Sequence, residues 1–455
     1  MGPDPTRRRI ALFGNFGTGN LGNEATLQAM IYNLRRRLPN AEFSCICPAP
    51  ENAASEHKIP AVPIRAPFPV WKLSRAPGNG EPAGGSNGSV SRADVEPEQR
   101  FSALSRLRAP LRTCAYPLLE PYRWFKGIAR LKGSDSLVMT GTGMLGDYAI
   151  EPLGLHYDIF RWAVIAKMCR CRLMFVSVGG APIRHPLSRC FIRVALALAD
   201  YRSYRDGSSK AHVQAIGVDV KDDHVYPDLA FSLPRDLVAG DHDSALKGLV
   251  IGVGVMNYYD RFGRSGTDET IYRDYVARLA SFVVRLLERG YTVRVLIGDL
   301  VWDQGVRQDL RKALEERGVE YEDGRIIDEP AASVEALLAQ LSSVDIVAAS
   351  RFHNVLLALM LRKPVVAISY HEKFRPLMNG VGLGEFRQDI EHIDVDELIG
   401  KIVELQENAQ GIKLQIARET ESYRVALDEQ YERMLTVSRS YSTSSRRRRV
   451  THQHL

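Results

Sequence analysis

The sequence predicts an α/β protein built of two doubly wound, Rossmann-like domains facing each other across a cleft. Three observations carry that prediction. Short apolar runs without polar alternation, such as Leu137–Thr140, Leu173–Val178 and Gly248–Val255, read as strands buried on both faces. Longer helical stretches alternate with them, which is the pattern of successive β–α–β units. A mostly polar stretch, 233–247, separates two such series, so the domains are read as 9–232 and 248–410, followed by a helix over 411–437 and a basic tail over 438–455 expected to be disordered.

Bulk properties narrow the class. A chain of 455 residues is long enough for two or three domains. Its 45% hydrophobic and 25% charged residues are those of a soluble globular protein. No run approaches the roughly 18 apolar residues that a membrane span needs. The six cysteines include Cys45-x-Cys47 and Cys169-x-Cys171. A CxC pair on a strand puts both thiols on one face, but zinc sites use CxxC or wider spacing, so these read as reduced thiols and no metal is assigned. A cytoplasmic protein is expected. The formal charge of +6 is uneven: the tail from Ser438 holds five Arg and no acid, leaving +1 for the rest of the chain. A nearly neutral body without a nucleic-acid motif argues against nucleic acid as a partner.

In the first domain, strand Arg9–Phe13 runs into Gly14–Glu24, and a helix follows from about Ala25. Gly17-x-Gly19-x-x-Gly22 matches the dinucleotide fingerprint in letters only. The turn carries three extra residues before those glycines, and no acid follows the next strand, Phe43–Cys47, to hold a ribose. What remains is an amide-rich turn, with Asn15, Asn20 and Asn23 as candidate substrate-binding residues, that brings backbone N–H groups to a polar ligand. Ser74–Arg100 holds five Gly and three Pro and reads as a flexible insert. Phe101–Lys132 carries seven cations against one acid, Glu120, interleaved with aromatic residues. It reads either as an interfacial stretch for anionic lipid headgroups or as a helix whose basic face is solvated, and the second carries slightly more weight. Strand Leu137–Thr140 ends in Gly141–Asp147, a second glycine-rich turn, and Asp147 lies where open α/β sheets place their ligands. Strand Leu173–Val178, the turn at Ser203–Asp206 and a short strand at His224–Tyr226 complete the domain.

The second domain runs through strands Gly248–Val255, Thr292–Ile297 and a weak one near Arg325–Ile327, then closes on Val344–Tyr370. There, a buried strand, a turn that Ser350 can cap, a short helix and a strand from Val365 form one compact unit. Arg351 and His353 open the helix at an exposed N-terminus, where free N–H groups and the dipole favour an anion. Arg351 adds a planar fork for a carboxylate or phosphate, and His353 a group expected to titrate near neutrality.

Asn15–Glu24, Gly141–Asp147, Tyr204-Arg205-Asp206, Tyr226-Pro227-Asp228 and, most specifically, Ser350-Arg351-Phe352-His353 resemble the polysaccharide pyruvyl transferase family, as do Ile368-Ser369-Tyr370 and Lys373. The resemblance covers roughly 9–390 outside the insert, and departs from the family at the poorer glycine run of 141–144 and at the basic aromatic stretch. It implies a B-type glycosyltransferase architecture and transfer of pyruvate from phosphoenolpyruvate to two hydroxyls of a glycan sugar as a ketal, with no cofactor. The acceptor is free or lipid-linked, and peripheral contact with the inner face of a membrane goes with the second case. Arg351 and Arg205 would hold the donor's two anionic ends, with Lys373 beside them. His353 would serve as acid and phosphate contact, and Asp147 as base or sugar-hydroxyl acceptor. The alternative is a nucleotide-sugar-dependent glycosyltransferase of the same architecture.

Overall fold

The computed structural model describes residues 8–66, 119–147, 152–238, 248–259, 269–321 and 323–451, with side chains to 436. The flexible insert 74–100 and the first part of the basic aromatic stretch lie outside the described residues.

Two parallel sheets form the two domains. The first has the order β3-β2-β1-β4-β5-β6-β7, with β1 at Arg9–Phe13, β2 at Glu42–Cys47, β3 at Ala61–Pro63, β4 at Ser136–Thr140, β5 at Arg172–Val178, β6 at Tyr201–Tyr204 and β7 at His224–Val225. The second has the order β10-β9-β8-β11-β12-β13, with β8 at Val250–Gly254, β9 at Thr292–Leu296, β10 at Ile326–Ile327, β11 at Ile346–Ala349, β12 at Val365–Ser369 and β13 at Arg387–Asp389. Strand order reverses between β1 and β4 in one sheet and between β8 and β11 in the other, so the loops after those strands frame the two crevices where ligands bind in such sheets. Three strands, β3, β6 and β13, are not apparent in the sequence. They are short, and β6 and β13 carry Arg202, Arg387 and Asp389, so no apolar run marks them.

The helices are α1 Leu21–Arg37, α2 Pro50–His57, α3 over 119–131, α4 Tyr157–Met168, α5 Pro186–Ala197, α6 Gly207–Ala215, α7 Arg235–Val238, α8 Glu269–Glu288, α9 Asp303–Glu315, α10 Val334–Ser342, α11 Phe352–Met360, α12 Phe374–Gly380, α13 Val395–Glu407 and α14 Ala409–Thr451. α14 corrects the expected tail. It is one helix to Thr451, so residues 438–451 are helical rather than unordered. No Gly or Pro interrupts 412–451, and Arg is a good helix former.

The domains share a core. One buried apolar cluster runs from Leu12 and Met30 through Phe231 to Val355 and the second sheet, and includes Tyr431 of α14. A second cluster, around Trp162 and Phe175, fills the opposite face of the first sheet. At the cleft floor the backbones meet directly: Leu21 N–H donates to the Gly298 carbonyl at 3.0 Å, and Leu300 N–H to the Gly19 carbonyl at 2.8 Å. α14 then returns to the first domain. The Gln430 amide is buried between Ser177 Oγ at 2.8 Å and Ser203 Oγ at 3.2 Å. Tyr431 is fully buried, with its hydroxyl 3.1 Å from Ser232 Oγ and the Arg37 guanidinium 5.0 Å from its ring centroid.

Truncating a fully buried aromatic at such a seam removes its burial and leaves a cavity. Tyr431→Ala is therefore expected to cost roughly 3–5 kcal/mol in urea unfolding. A loss below about 1 kcal/mol would show that α14 adds little to the first domain.

Candidate active site

The carboxyl ends of both sheets open on one interdomain cleft of about 490 Å³. Seven of the eight residues singled out from the sequence line it: Asn15, Asn20, Asn23, Arg205, Arg351, His353 and Lys373. Asp147 does not. It lines an adjoining cleft of about 660 Å³ that shares Gly180, Ala181, Tyr370, His371 and Lys373 with the first.

The first wall is the β1–α1 turn. Asn20 caps α1, its Oδ1 accepting from Asn23 N–H at 3.2 Å, while its Nδ2 donates across the cleft to Asp299 Oδ2 at 3.2 Å. Asn23 Nδ2 donates to the Asn15 carbonyl at 3.0 Å. Gly17 and Gly19 take positive φ of 75° and 88°, and Glu24 Oε1 accepts from Gly17 N–H at 2.7 Å. The amides thus hold the loop and bind its neighbour. Gly22 serves the opposite wall, because the ring of His353 packs on its Cα and a methyl there would overlap that ring.

The second wall is the start of α11. Its N-terminal N–H groups carry no side-chain cap, which leaves them for an anion. Ser350, expected to cap this turn, instead sits 2.9 Å from the Tyr275 hydroxyl. Arg351 also differs from the sequence reading. Its Nε and Nη2 edge is turned onto Asp303, with Nε 2.9 Å from Oδ2, and only Nη1 is left without a hydrogen bond among the described residues. Asp303 is fully buried and accepts from the N–H groups of Asn257 at 3.1 Å, Gly298 at 3.1 Å and Asp299 at 2.9 Å. Burial opposes the charge of Arg351, but Asp303 outweighs it and holds the guanidinium charged. The group is a half-buried guanidinium paired to a fully buried carboxylate, not an exposed side chain.

Phe352 organises the other cations. The Arg205 guanidinium lies 4.8 Å and the Lys373 ammonium 5.2 Å from its ring centroid. Arg205 Nη1 donates to Asp228 Oδ2 at 3.2 Å. That same oxygen is 3.9 Å from His353 Nε2, which is buried without a hydrogen bond. Lys373 Nζ donates to the Tyr370 hydroxyl and has no carboxylate within 4.0 Å among the described residues. Burial pushes His353 down to about 4 and His371 to about 4, with neighbouring cations adding to the effect. His353 is therefore neutral at pH 7, not poised near neutrality. Burial and then Arg205 and Arg351 bring Lys373 down to about 7.

Asp147 anchors the adjoining wall. Its Oδ2 accepts from the N–H groups of Arg184 and His185, while Oδ1 is buried 3.9 Å from His156 Nδ1. Elsewhere Glu24, Glu56 and His57 bring ligating atoms within 4.8 Å of one another, and His57 Nε2 is 2.8 Å from Glu24 Oε2. Cys45, Cys47, Cys169 and Cys171 are free thiols. Sequence reasoning missed Asp303, His371 and the purpose of Gly22, and gave Tyr370 no role. Only the Gly298-Asp299 turn before α9 hinted at the first, because a pairing between distant residues leaves no local signature.

Two outcomes follow from this geometry. Arg351→Lys should lower stability by roughly 1–3 kcal/mol, because one ammonium cannot replace two guanidinium donors on a buried carboxylate. Denaturant unfolding reads that loss, and an unchanged midpoint would show that Asp303 does not need the fork. Gly22→Ala should weaken ligand binding and lower the melting point. Helix propensity alone would raise stability by about 1 kcal/mol, so a stabilised, active variant would refute the packing of His353 on Gly22.

Comparison with known proteins places the fold. HepE of Anabaena, in complex with UDP and glucose, superposes with a TM-score of 0.52 at 14% identity, covering 94% of this chain and 99% of that one. A putative UDP-N-acetylglucosamine 2-epimerase from Listeria monocytogenes gives a TM-score of 0.57 at 12% identity, covering 96% and 97%. The UDP-GlcNAc 2-epimerase of Neisseria meningitidis bound to UDP-GlcNAc gives 0.52 at 10%, covering 94% and 99%. At such identities the likeness speaks for the B-type glycosyltransferase architecture alone. No curated protein sequence matches the chain. The family model described as polysaccharide pyruvyl transferase matches residues 20–372, so the chain belongs to the polysaccharide pyruvyl transferase family and is a transferase.

Proposed function

We infer that the cleft takes phosphoenolpyruvate as donor and ketalises two hydroxyls of one glycan sugar, the second domain serving the donor and the first the acceptor. One observation carries the reading: Arg205, Lys373, the free Nη1 of Arg351 and the uncapped start of α11 converge on one cleft, and among the described residues no carboxylate lies within 4.0 Å of Lys373. A small ligand with a phosphate at one end and a carboxylate at the other supplies the missing charge at both ends.

The reaction needs a proton at the donor's C3 and attack of a sugar oxygen at C2. The C2–O bond to phosphate then breaks, and the second sugar oxygen closes the ketal. Of the two hydroxyl protons displaced, one replaces the proton given to C3 and the other leaves with phosphate. His353 is the acid. It is neutral by itself, but the arriving polyanion favours its charged form, with Asp228 behind Nε2. Donor binding thus arms the acid. On the acceptor side Asp147, Asp206, Glu372 and Asp389 face the adjoining cleft as acceptors for sugar hydroxyls. Asp147 acts there chiefly by positioning the wall at Arg184 and His185.

Phosphoenolpyruvate should raise the melting point in the presence of a chelator, following RT ln(1 + [L]/Kd). A shift with UDP-glucose and none with phosphoenolpyruvate would favour the nucleotide-sugar reading instead. Binding at pH 7 should take up protons, read by calorimetry in buffers of different ionisation enthalpy, because His353 and Lys373 charge as the anion enters. His353→Ala should lose about 10²–10⁴ in turnover.

The pH dependence has a definite sign. Lys373, at about 7, loses its charge as pH rises, so kcat/KM for the donor should fall on the alkaline side. Lys373→Arg stays charged and should abolish that fall. An unchanged alkaline limb in Lys373→Arg would remove Lys373 from donor binding.

A further inference from the structure

On the face of the first sheet opposite α1, three helices lie side by side. α3 meets α4 through Gly127 against Ile165, and Trp124 Nε1 donates to the Tyr157 hydroxyl at 3.2 Å. α5 meets α4 through Phe191, whose ring centroid is 5.5 Å from that of Tyr157 and 5.2 Å from that of Phe160. Beside this aromatic cluster three large apolar side chains point outward: Phe125 is 67% exposed, Leu153 53% and Leu187 50%. Such a group on a folded surface marks an interaction site.

The charges that its helices α3 and α5 carry are mostly positive. Lys126, Arg130 and Lys132 come from α3 and its end, and Arg189 and Arg193 from α5. Residues 182–199 contain no acid, and the one acid of 119–132, Glu120, is bonded to Arg123 and to the Tyr157 hydroxyl. A groove of about 790 Å³ runs along the exposed side of α5, with Arg189 and Arg193 beside Val194 and Ala197 on the helix, and Arg202, Asp219 and Asp222 contributed from outside it. Cations beside apolar side chains match an anionic headgroup above acyl chain. A second copy of this face would meet its own charge. The chain's own 101–118, with three Arg and no acid, is matched no better. No helix among the described residues is long and apolar enough to cross a membrane, so any lipid contact of these residues is made at a surface.

We propose that the α3–α5 face docks on a bilayer rich in anionic headgroups, with Phe125, Leu153 and Leu187 entering the headgroup layer and the cations resting on its phosphates. The start of α5 is the segment whose N–H groups Asp147 holds at the adjoining cleft. Docking therefore brings that cleft beside the membrane, and the glycan acceptor is carried on a lipid. This last step rests on the pyruvyl-transfer reading, whereas the docking does not.

The test is flotation of the full chain, without substrates, with phosphatidylcholine vesicles that do or do not contain phosphatidylglycerol. Binding is expected only with phosphatidylglycerol and should weaken with salt. Arg189→Glu with Arg193→Glu should reduce it by about thirtyfold or more. Phe125→Ser with Leu187→Ser should reduce it by about tenfold or more, with melting points checked to show that each variant is folded. Replacing Arg446–Arg449 by Gln should leave binding in place. The proposal is overturned if anionic vesicles are not bound. It is equally overturned if the face variants bind like the parent while the Arg446–Arg449 variant does not, or if mixed-sequence DNA, but not vesicles, is bound through this face. Phosphate release from phosphoenolpyruvate with a soluble glycan is measured separately, so its failure beside intact docking would count against the catalytic reading alone.

Discussion

The site depends on where one carboxylate is buried. Asp303 has no exposed surface, yet it is held by three backbone N–H groups and by Arg351. An isolated charge at such depth would be prohibitive, and a paired one is tolerated only when its geometry is fully satisfied. The three N–H groups come from the turns after β8 and β9, and the guanidinium from the turn after β11. Asp303 therefore sets the relative positions of three strand ends at the crevice of the second sheet. The turn it shapes is also the one that bonds to Gly19 and Leu21 of the first domain. One ion pair thus aligns the cation at the cleft, the N-terminus of α11 and the seam between the domains.

From that alignment follows an electrostatic imbalance. Asp303 takes up most of Arg351, and Asp228 takes up one nitrogen of Arg205, but Lys373 lies against a phenol and two aromatic faces with no carboxylate within 4.0 Å among the described residues. The strain shows in the depressed proton affinities of Lys373, His353 and His371, which reflect burial first and mutual repulsion second. A cleft of this kind is organised for an anion before the anion arrives, the arrangement from which preorganised catalysis draws its effect.

The two-sheet architecture was legible because its inner strands are continuous apolar runs, and so was the clustering of Arg205, Arg351, His353 and Lys373, because each follows or opens an element at a strand's carboxyl end. Two further properties were not legible. Whether Arg351 is exposed depends on Asp303, which is 48 positions away, and the proton affinity of His353 depends on how deeply Gly22 of the other domain lets its ring settle. Both are set by long-range packing, which no local pattern records. The amides of Asn20 and Asn23, read as ligand contacts, line the cleft and also stitch the loop and the seam, a second task no local pattern showed. The extent of α14 was misjudged because a run of Arg reads as solvated tail while its propensity is helical.

The return of α14 has a consequence for how the chain is made. The amide of Gln430 fills a place inside the first domain, against Ser177, a residue 253 positions earlier. During synthesis the first sheet emerges and collapses long before that residue exists, so its buried hydroxyls wait for a partner made 253 positions after Ser177. Such contacts close long loops and form late. The nascent first domain is therefore an incomplete body until α14 has been made, and in that interval the chain is most exposed to misassembly and to the chaperones and proteases that police it.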